Sequence, residues 1–106
     1  MKPLFLLCCL ASFACAADWP QFRGPTGLGY TEERNLPLTW DAKTGENIRW
    51  KTPLPKSDNP YSSPIVSGDR VFVTCVQNEP LTQHVLCFAK ADGKPLWDVT
   101  IPPGPW

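Results

Sequence analysis

Hydrophobic residues form short, regular runs in the second half of the chain. These runs are rich in β-branched and aromatic residues and are bounded by turn-forming residues, which is typical of β-strands. The predicted strands are 62–66, 71–76, 85–89 and 96–101. Tight turns at 67–69 and 91–94 separate two of the pairs. We therefore expect an antiparallel, four-stranded meander.

The middle strands of this sheet are apolar at successive positions rather than at alternate ones. Residues 71–73 and 85–89 are apolar throughout. A sheet with one face in water shows a cleaner alternation, so the pattern indicates a sheet that packs between two neighbouring sheets. The predicted fold class is therefore all-β, with the arrangement of a β-propeller blade.

The first half of the chain is irregular and rich in proline and glycine. Thirteen prolines in 106 residues argue against long helices. The segment 17–60 contains one alternating run, residues 47–52, which predicts a single strand. Pro53 and Pro55 follow it and would confine this strand to a sheet edge.

The N-terminus has the order of a secretory signal. Lys2 precedes the apolar run 4–11, and Ala14-Cys15-Ala16 forms a small-residue cleavage site. We predict a signal peptide at 1–16 that is cut between Ala16 and Ala17, with lipid attachment at Cys15 as the alternative. The apolar run is too short to span a membrane, which takes about 20 residues. The product is therefore expected to be exported, to the periplasm or beyond the cell.

Signal cleavage would leave two cysteines, Cys75 and Cys87. In an oxidising compartment they can form one disulfide. A turn centred near Leu81 would place the two residues opposite each other on adjacent strands, close enough for a slightly strained bridge. We expect two buried free thiols, with the disulfide as the alternative.

Charge and residue types exclude several classes of function. Lys plus Arg equals Asp plus Glu, ten of each, so no basic surface for nucleic acid is expected. His84 is the only histidine and is expected at a hairpin rim. With Cys75 and Cys87 it would give three metal ligands without the usual Cys-x-x-Cys spacing. Acidic pairs such as Asp92 and Asp98 are interpreted as solvated turn residues. We predict no catalytic, cofactor-binding or metal site.

Two stretches of the chain echo each other. Residues 41–50 and 88–97 share an Ala-Lys pair, a turn glycine and a closing tryptophan. The predicted packing motif consists of Gly45, Trp50, Gly93 and Trp97. The two glycines are 48 residues apart, since 93 − 45 = 48, and propeller repeats run to about 40–50 residues.

Residues 85–97, an aliphatic strand followed by Ala-Lys-Ala-Asp-Gly-Lys and a tryptophan, resemble the pyrroloquinoline-quinone-like (PQQ-like) propeller repeat. The opening Trp-Pro-Gln-Phe-Arg-Gly-Pro at 19–25 resembles the start of secreted bacterial proteins of this family. The resemblance implies an N-terminal segment at 17–60 and a first blade at 61–106. It further implies an incomplete propeller, because relatives continue through several more blades, so the chain is expected to be an N-terminal fragment.

A function also follows from this resemblance. We expect a non-catalytic scaffold or protein-interaction module whose partners are the remaining blades or other proteins, and which is prone to self-association. One alternative is part of a quinoprotein alcohol dehydrogenase, which would use PQQ and calcium. A second alternative is a small secreted β-protein that acts alone.

Overall fold

The computed structural model describes residues 17–102 and Gly104. The predicted signal peptide and its cleavage residue Ala16 lie outside this range. Within it, the chain forms one antiparallel, four-stranded sheet in the order β1-β2-β3-β4. The strands are β1 Ile65–Ser67, β2 Arg70–Asn78, β3 Leu81–Ala89 and β4 Pro95–Ile101. The prediction of an all-β, four-stranded antiparallel sheet is confirmed.

Among the described residues, none lies in a helix that is long and apolar enough to cross a bilayer.

The two middle strands are longer than the pattern predicted. β2 and β3 pair over nine residues, from Arg70 with Ala89 to Asn78 with Leu81. Only Glu79 and Pro80 separate them, whereas the sequence predicted a looser connection at 77–82. The ladder continues beyond the apolar run through the pairs Val76 with Gln83, Gln77 with Thr82 and Asn78 with Leu81.

The shorter turn changes the register and overturns the expected position of the cysteines. Cys75 lies opposite His84, and Cys87 lies opposite Phe72. Directly paired residues share a face and successive residues alternate, so Cys75 and Cys87 point to opposite faces of the sheet. Both thiols are free and buried. A disulfide between them is excluded by this geometry, because no side-chain rotation carries a sulfur through the sheet.

One face of the sheet is covered, and we name it the covered face. Its core consists of Cys75, Leu86 and Phe88, with exposed fractions of 2 %, 3 % and 5 %, and Val71 packs against them. The segment 53–55 lies alongside Leu86 and Phe88 and forms one wall of a groove of about 430 Å³ with them. The irregular N-terminal half thus supplies the second layer of the core.

The opposite face, named here the open face, remains accessible. Phe72 and Trp97 lie there on either side of the fully buried Cys87, and their ring centroids are 5.9 Å apart. Beyond them, Val99 and Ile101 are 50 % and 44 % exposed. This face is therefore apolar and without a second layer among residues 17–102.

The two edges of the sheet differ. Trp19 pairs with Val66 through two backbone hydrogen bonds of 2.8 and 2.9 Å and so covers β1. Beyond β1, where Pro60 and Pro64 interrupt the ladder, side-chain oxygens accept from the amides of β2. These pairs are Ser62 Oγ with Thr74 N (2.8 Å), Ser57 Oγ with Val76 N (3.3 Å) and Asp58 Oδ2 with Asn78 N (2.8 Å).

At the other edge, β4 pairs only with β3 among the described residues. All seven of its residues are exposed. Side chains thus accept from the amides of β2 and prevent a further strand from pairing there. The outer backbone groups of β4, in contrast, have no paired strand among the described residues.

The edge strand predicted at 47–52 is wrong, because these residues belong to no strand of the described chain. The residues before the turn at 41–46 do not form a strand either, so the run has no partner for a ladder. Instead, Trp50 reaches the β3–β4 turn, where its Nε1 donates to the backbone oxygen of Lys90 at 2.8 Å. The tryptophan of the predicted strand is thus used for packing rather than for pairing.

The contact between Trp50 and Gly93 gives a test of this packing. Gly93 has φ +74°, and a Cβ built on it would lie 2.7 Å from Cδ2 of Trp50. Gly93→Ala should lower the free energy of unfolding by about 2–4 kcal/mol, because the left-handed backbone and the overpacked ring both oppose the methyl group. Chemical denaturation measures this.

Gly29→Ala is the matched control for this substitution. Gly29 has φ +80°, and nothing lies within 4 Å of its Cβ position. Gly29→Ala should lower the free energy of unfolding only through the backbone strain, by about 1–2 kcal/mol. Equal losses in the two variants would contradict the packing of Trp50 on Gly93.

Candidate functional site

The two halves of the sequence echo form the same backbone turn. In each turn, the glycine amide donates to the backbone oxygen of the residue four positions earlier. The amide of that earlier residue donates to the backbone oxygen of the residue directly after the glycine. In the first turn these bonds are Gly45 N to Asp41 O (2.9 Å) and Asp41 N to Glu46 O (3.1 Å); in the second they are Gly93 N to Ala89 O (2.8 Å) and Ala89 N to Lys94 O (2.9 Å). Both glycines have positive φ, +84° and +74°.

The structure brings two of the four motif residues together. Trp50 of the first copy packs on Gly93 of the second copy. Gly45 has nothing within 4 Å of its Cβ position, and Trp97 is 39 % exposed on the open face. Trp50 and the Gly93 turn are therefore in contact, whereas Trp97 and the Gly45 turn have no such contact within the described residues.

A polar cluster on the covered face was missed by the sequence analysis. His84 Nδ1 lies 2.9 Å from Asp98 Oδ1 on β4. His84 Nε2 lies 3.1 Å from Thr82 Oγ1 on its own strand. Asp98 is therefore a cross-strand partner of His84 rather than a solvated turn residue. His84 pairs with Thr100 on β4, so Asp98, two residues earlier on the same face, lies diagonally across from His84. This contact depends on the register of β3 and β4, which the sequence alone does not show.

This cluster has the order hydroxyl, imidazole, carboxylate that nucleophilic hydrolases use. Its hydrogen bonds also suit a purely structural tie. His84 Nδ1 is in hydrogen-bond contact with Asp98 and Nε2 with Thr82 Oγ1, and the Thr82 hydroxyl donates to the Pro80 oxygen at 3.4 Å. Both ring nitrogens of His84 thus have partners, one on β3 and one on β4. The arrangement fastens β4 to β3.

Cys75 lies opposite His84 and is 2 % exposed. Burial raises the pKa of the Cys75 thiol above its ordinary value, and the negative charge of Asp98 raises it further. The thiol therefore stays neutral at physiological pH. A neutral, buried thiol is a poor nucleophile and a poor metal ligand.

The remaining side chains offer no further metal site in the described part of the chain. Across residues 17–102 and 104, no three His, Cys, Asp or Glu side chains come together as a metal-binding group. Cys75 and Cys87, which the sequence offered with His84 as ligands, are separated by the sheet itself.

Comparison with known proteins gives no match: no family model, curated protein or solved structure is similar to this chain. The likeness of residues 19–25 and 85–97 to PQQ-like proteins therefore rests on those residues themselves.

The tie between His84 and Asp98 can be measured with a double-mutant cycle. Replacing both by alanine, singly and together, should give a coupling free energy of about 0.5–1 kcal/mol, because Asp98 is nearly half exposed and water screens the pair. The matched control is the exposed pair Asp69 and Arg70, whose N···O distance is 3.8 Å. It should show a coupling near zero. Equal couplings would contradict a specific role for His84.

Stability should depend on pH through Cys75. Its folded pKa is raised, so its contribution is fully present below the pKa of the unfolded thiol, about 8.5. The contribution is lost as the pH rises through the folded value. Wild type should therefore lose more free energy of unfolding than Cys75→Ala as the pH rises above about 8. Denaturation curves across this range measure the difference. Parallel pH profiles would show that the thiol titrates normally.

Proposed function

We propose that this chain is the N-terminal part of a secreted PQQ-like β-propeller and acts as a non-catalytic scaffold or protein-interaction module. Residues 61–106 would be its first blade and residues 17–60 its N-terminal segment. In this proposal the open face packs on the sheet of a further blade of the same kind. No resident cofactor is proposed.

The observation that carries the proposal is the repeated turn. The turns at 41–46 and 89–94 have the same hydrogen bonds and the same left-handed glycine, 48 residues apart. Propeller repeats have about this period. The contact of Trp50 with Gly93 further supports it, because a side chain of one copy packs against the turn of the next.

The open face is a second support. It carries adjoining apolar side chains from three strands, with Phe72 on β2, Val85 on β3 and Trp97 on β4. Sheets that pack face to face bury such side chains in layers about 10 Å thick. A scaffold that stacks sheet upon sheet uses this surface, whereas a protein acting alone would leave it in water.

The polar cluster at His84 supports a non-catalytic module. Its ring nitrogens have partners on β3 and β4, and those partners are backbone-fixed members of the same sheet. Thr82 also contacts the backbone oxygen of Pro80. The contact of His84 with Asp98 thus joins β3 to β4, and Thr82 holds the ring from its own strand.

The proposal is tested by photo-crosslinking from the open face. The full 106-residue chain is expressed in its own host with a benzophenone amino acid in place of Trp97, and the crosslinked peptides are identified by mass spectrometry. We expect crosslinks to the glycine turn of a PQQ-like repeat, because Trp50 already packs on such a turn within the chain.

The matched control carries the same benzophenone at Leu38. Leu38 is 93 % exposed and lies in the irregular segment, so it should give no crosslink to a repeat. Crosslinks from position 97 that fall only on proteins without such a repeat would overturn the proposal. The proposal would also be overturned if position 97 gave no crosslinks beyond those of the Leu38 control.

A further inference from the structure

We propose that removal of the signal peptide creates an ammonium group at Ala17 that docks on Glu33 and fastens the new N-terminus to the folded chain. This inference rests on the export that the proposed function includes, and it adds an ion pair that depends on processing. Its basis is that the first residue after the predicted cut already lies against a carboxylate. The nitrogen of Ala17 donates to Oε1 of Glu33 at 2.7 Å.

The residues that follow the predicted cut are each held by a distant part of the chain. After the bond made by Ala17, Oδ1 of Asp18 accepts from the amide of Gly68 at 2.8 Å. Trp19 exchanges two backbone hydrogen bonds with Val66. The mature chain that the cleavage motif predicts thus begins with a segment that is docked from its first nitrogen onward.

The receiving carboxylate is positioned by its own loop. The amide of Glu33 donates to Oγ1 of Thr31 at 3.1 Å. Ala17, Tyr30 and Glu32 line a cavity of about 380 Å³ together with Glu33. Within residues 17–102, no Lys or Arg side chain forms an ion pair with this carboxylate. Its negative charge is therefore left for a cation at Ala17.

Signal cleavage changes the donor at this position from an amide to an ammonium. A signal peptidase adds water across the Ala16–Ala17 peptide bond, so that the hydroxyl goes to the carbonyl carbon of Ala16 and the proton to the nitrogen of Ala17. The acid formed on Ala16 then loses a proton, and the new amine takes one up. Because hydrogen bonds between ionised groups are about twice as strong as neutral ones, the contact with Glu33 becomes stronger after processing.

The docked N-terminus protects the edge of the sheet at β1. Trp19 covers β1 through its pair with Val66 and stands only two positions after Ala17, since 19 − 17 = 2. Chain ends are poorly ordered unless they are tied down, so a fraying N-terminus would release this pair first. The ion pair with Glu33 therefore keeps the Trp19 pair closed in the mature chain.

The proposal is tested on the exported product of the full chain, whose intact mass should place its first residue at Ala17. The folded product is treated at neutral pH with a limiting amount of acetic anhydride. The tryptic peptide 17–23 contains no lysine, so its label reports the α-amino group. Only the neutral amine reacts, and the carboxylate favours the ammonium. Wild type should therefore react about two- to fivefold more slowly than Glu33→Gln, as suits an exposed ion pair.

Glu32→Gln is the matched control, because it removes the same charge from the neighbouring position in the lining of the same cavity. The Ala17 nitrogen donates to Glu33 rather than to this side chain, so the amine should react at nearly the wild-type rate. Equal acceleration in the two variants would overturn the proposal, since it would reflect negative charge in general and not a docked ammonium.

A second measurement follows the docking without relying on a variant. Acetylating the N-terminus of wild type removes its charge and keeps an N–H donor. Hydrogen exchange of the Trp19 amide, measured by NMR, should then become about two- to fivefold faster. The same acetylation should change nothing in Glu33→Gln.

Two results of these measurements would overturn the inference. One is a Trp19 exchange rate in wild type that acetylation leaves unchanged. The other is an exported product that begins at any residue other than Ala17, including a lipid-modified Cys15. The proposed function is decided separately, by crosslinking from Trp97, so its failure is distinguishable from the failure of this inference.

Discussion

The nine-residue pairing of β2 with β3 is the constraint on which the other features depend. The Glu79-Pro80 turn fixes its register, and the register assigns every side chain of the two strands to a face. Leu86 and Phe88 then lie on the covered face, and Phe72 lies on the open one. A slip of one residue would place the polar His84 on the open face and bring Cys87 into the core. The separate surfaces of the molecule thus follow from one hairpin.

The sequence predicted the number, order and antiparallel arrangement of the strands because these follow from local patterns of apolar and turn residues. It failed where a contact depends on register. The position of Cys75 relative to Cys87 and the approach of Asp98 to His84 both depend on where the β2–β3 turn begins, and Gln77 and Thr82 gave no local sign that they would extend the strands. Similarly, residues 47–52 have a strand-like pattern, but none of the described strands pairs with them.

The two edges of the sheet illustrate how the same backbone can be closed or open. Along β2, the prolines at 60 and 64 cannot donate, and the hydroxyls of Ser57 and Ser62 accept in place of a strand. Within residues 17–102, no side chain takes such a role along β4, whose only charged residue, Asp98, is engaged by His84. The outer edge of β4 is therefore the open backbone edge of the described sheet.

The hydrogen bonds that attach the N-terminal half join residues far apart in the sequence, and this affects the order of folding. Asp18 accepts from Gly68 across 50 positions, and Trp50 donates to Lys90 across 40. The β2–β3 hairpin closes across only two residues. Because closing a long loop costs more entropy than closing a short one, we expect the hairpin to form first and to present the surface on which residues 17–60 then pack. A chain that is synthesised from its N-terminus would therefore hold residues 17–60 without their packing surface until β2 and β3 have emerged.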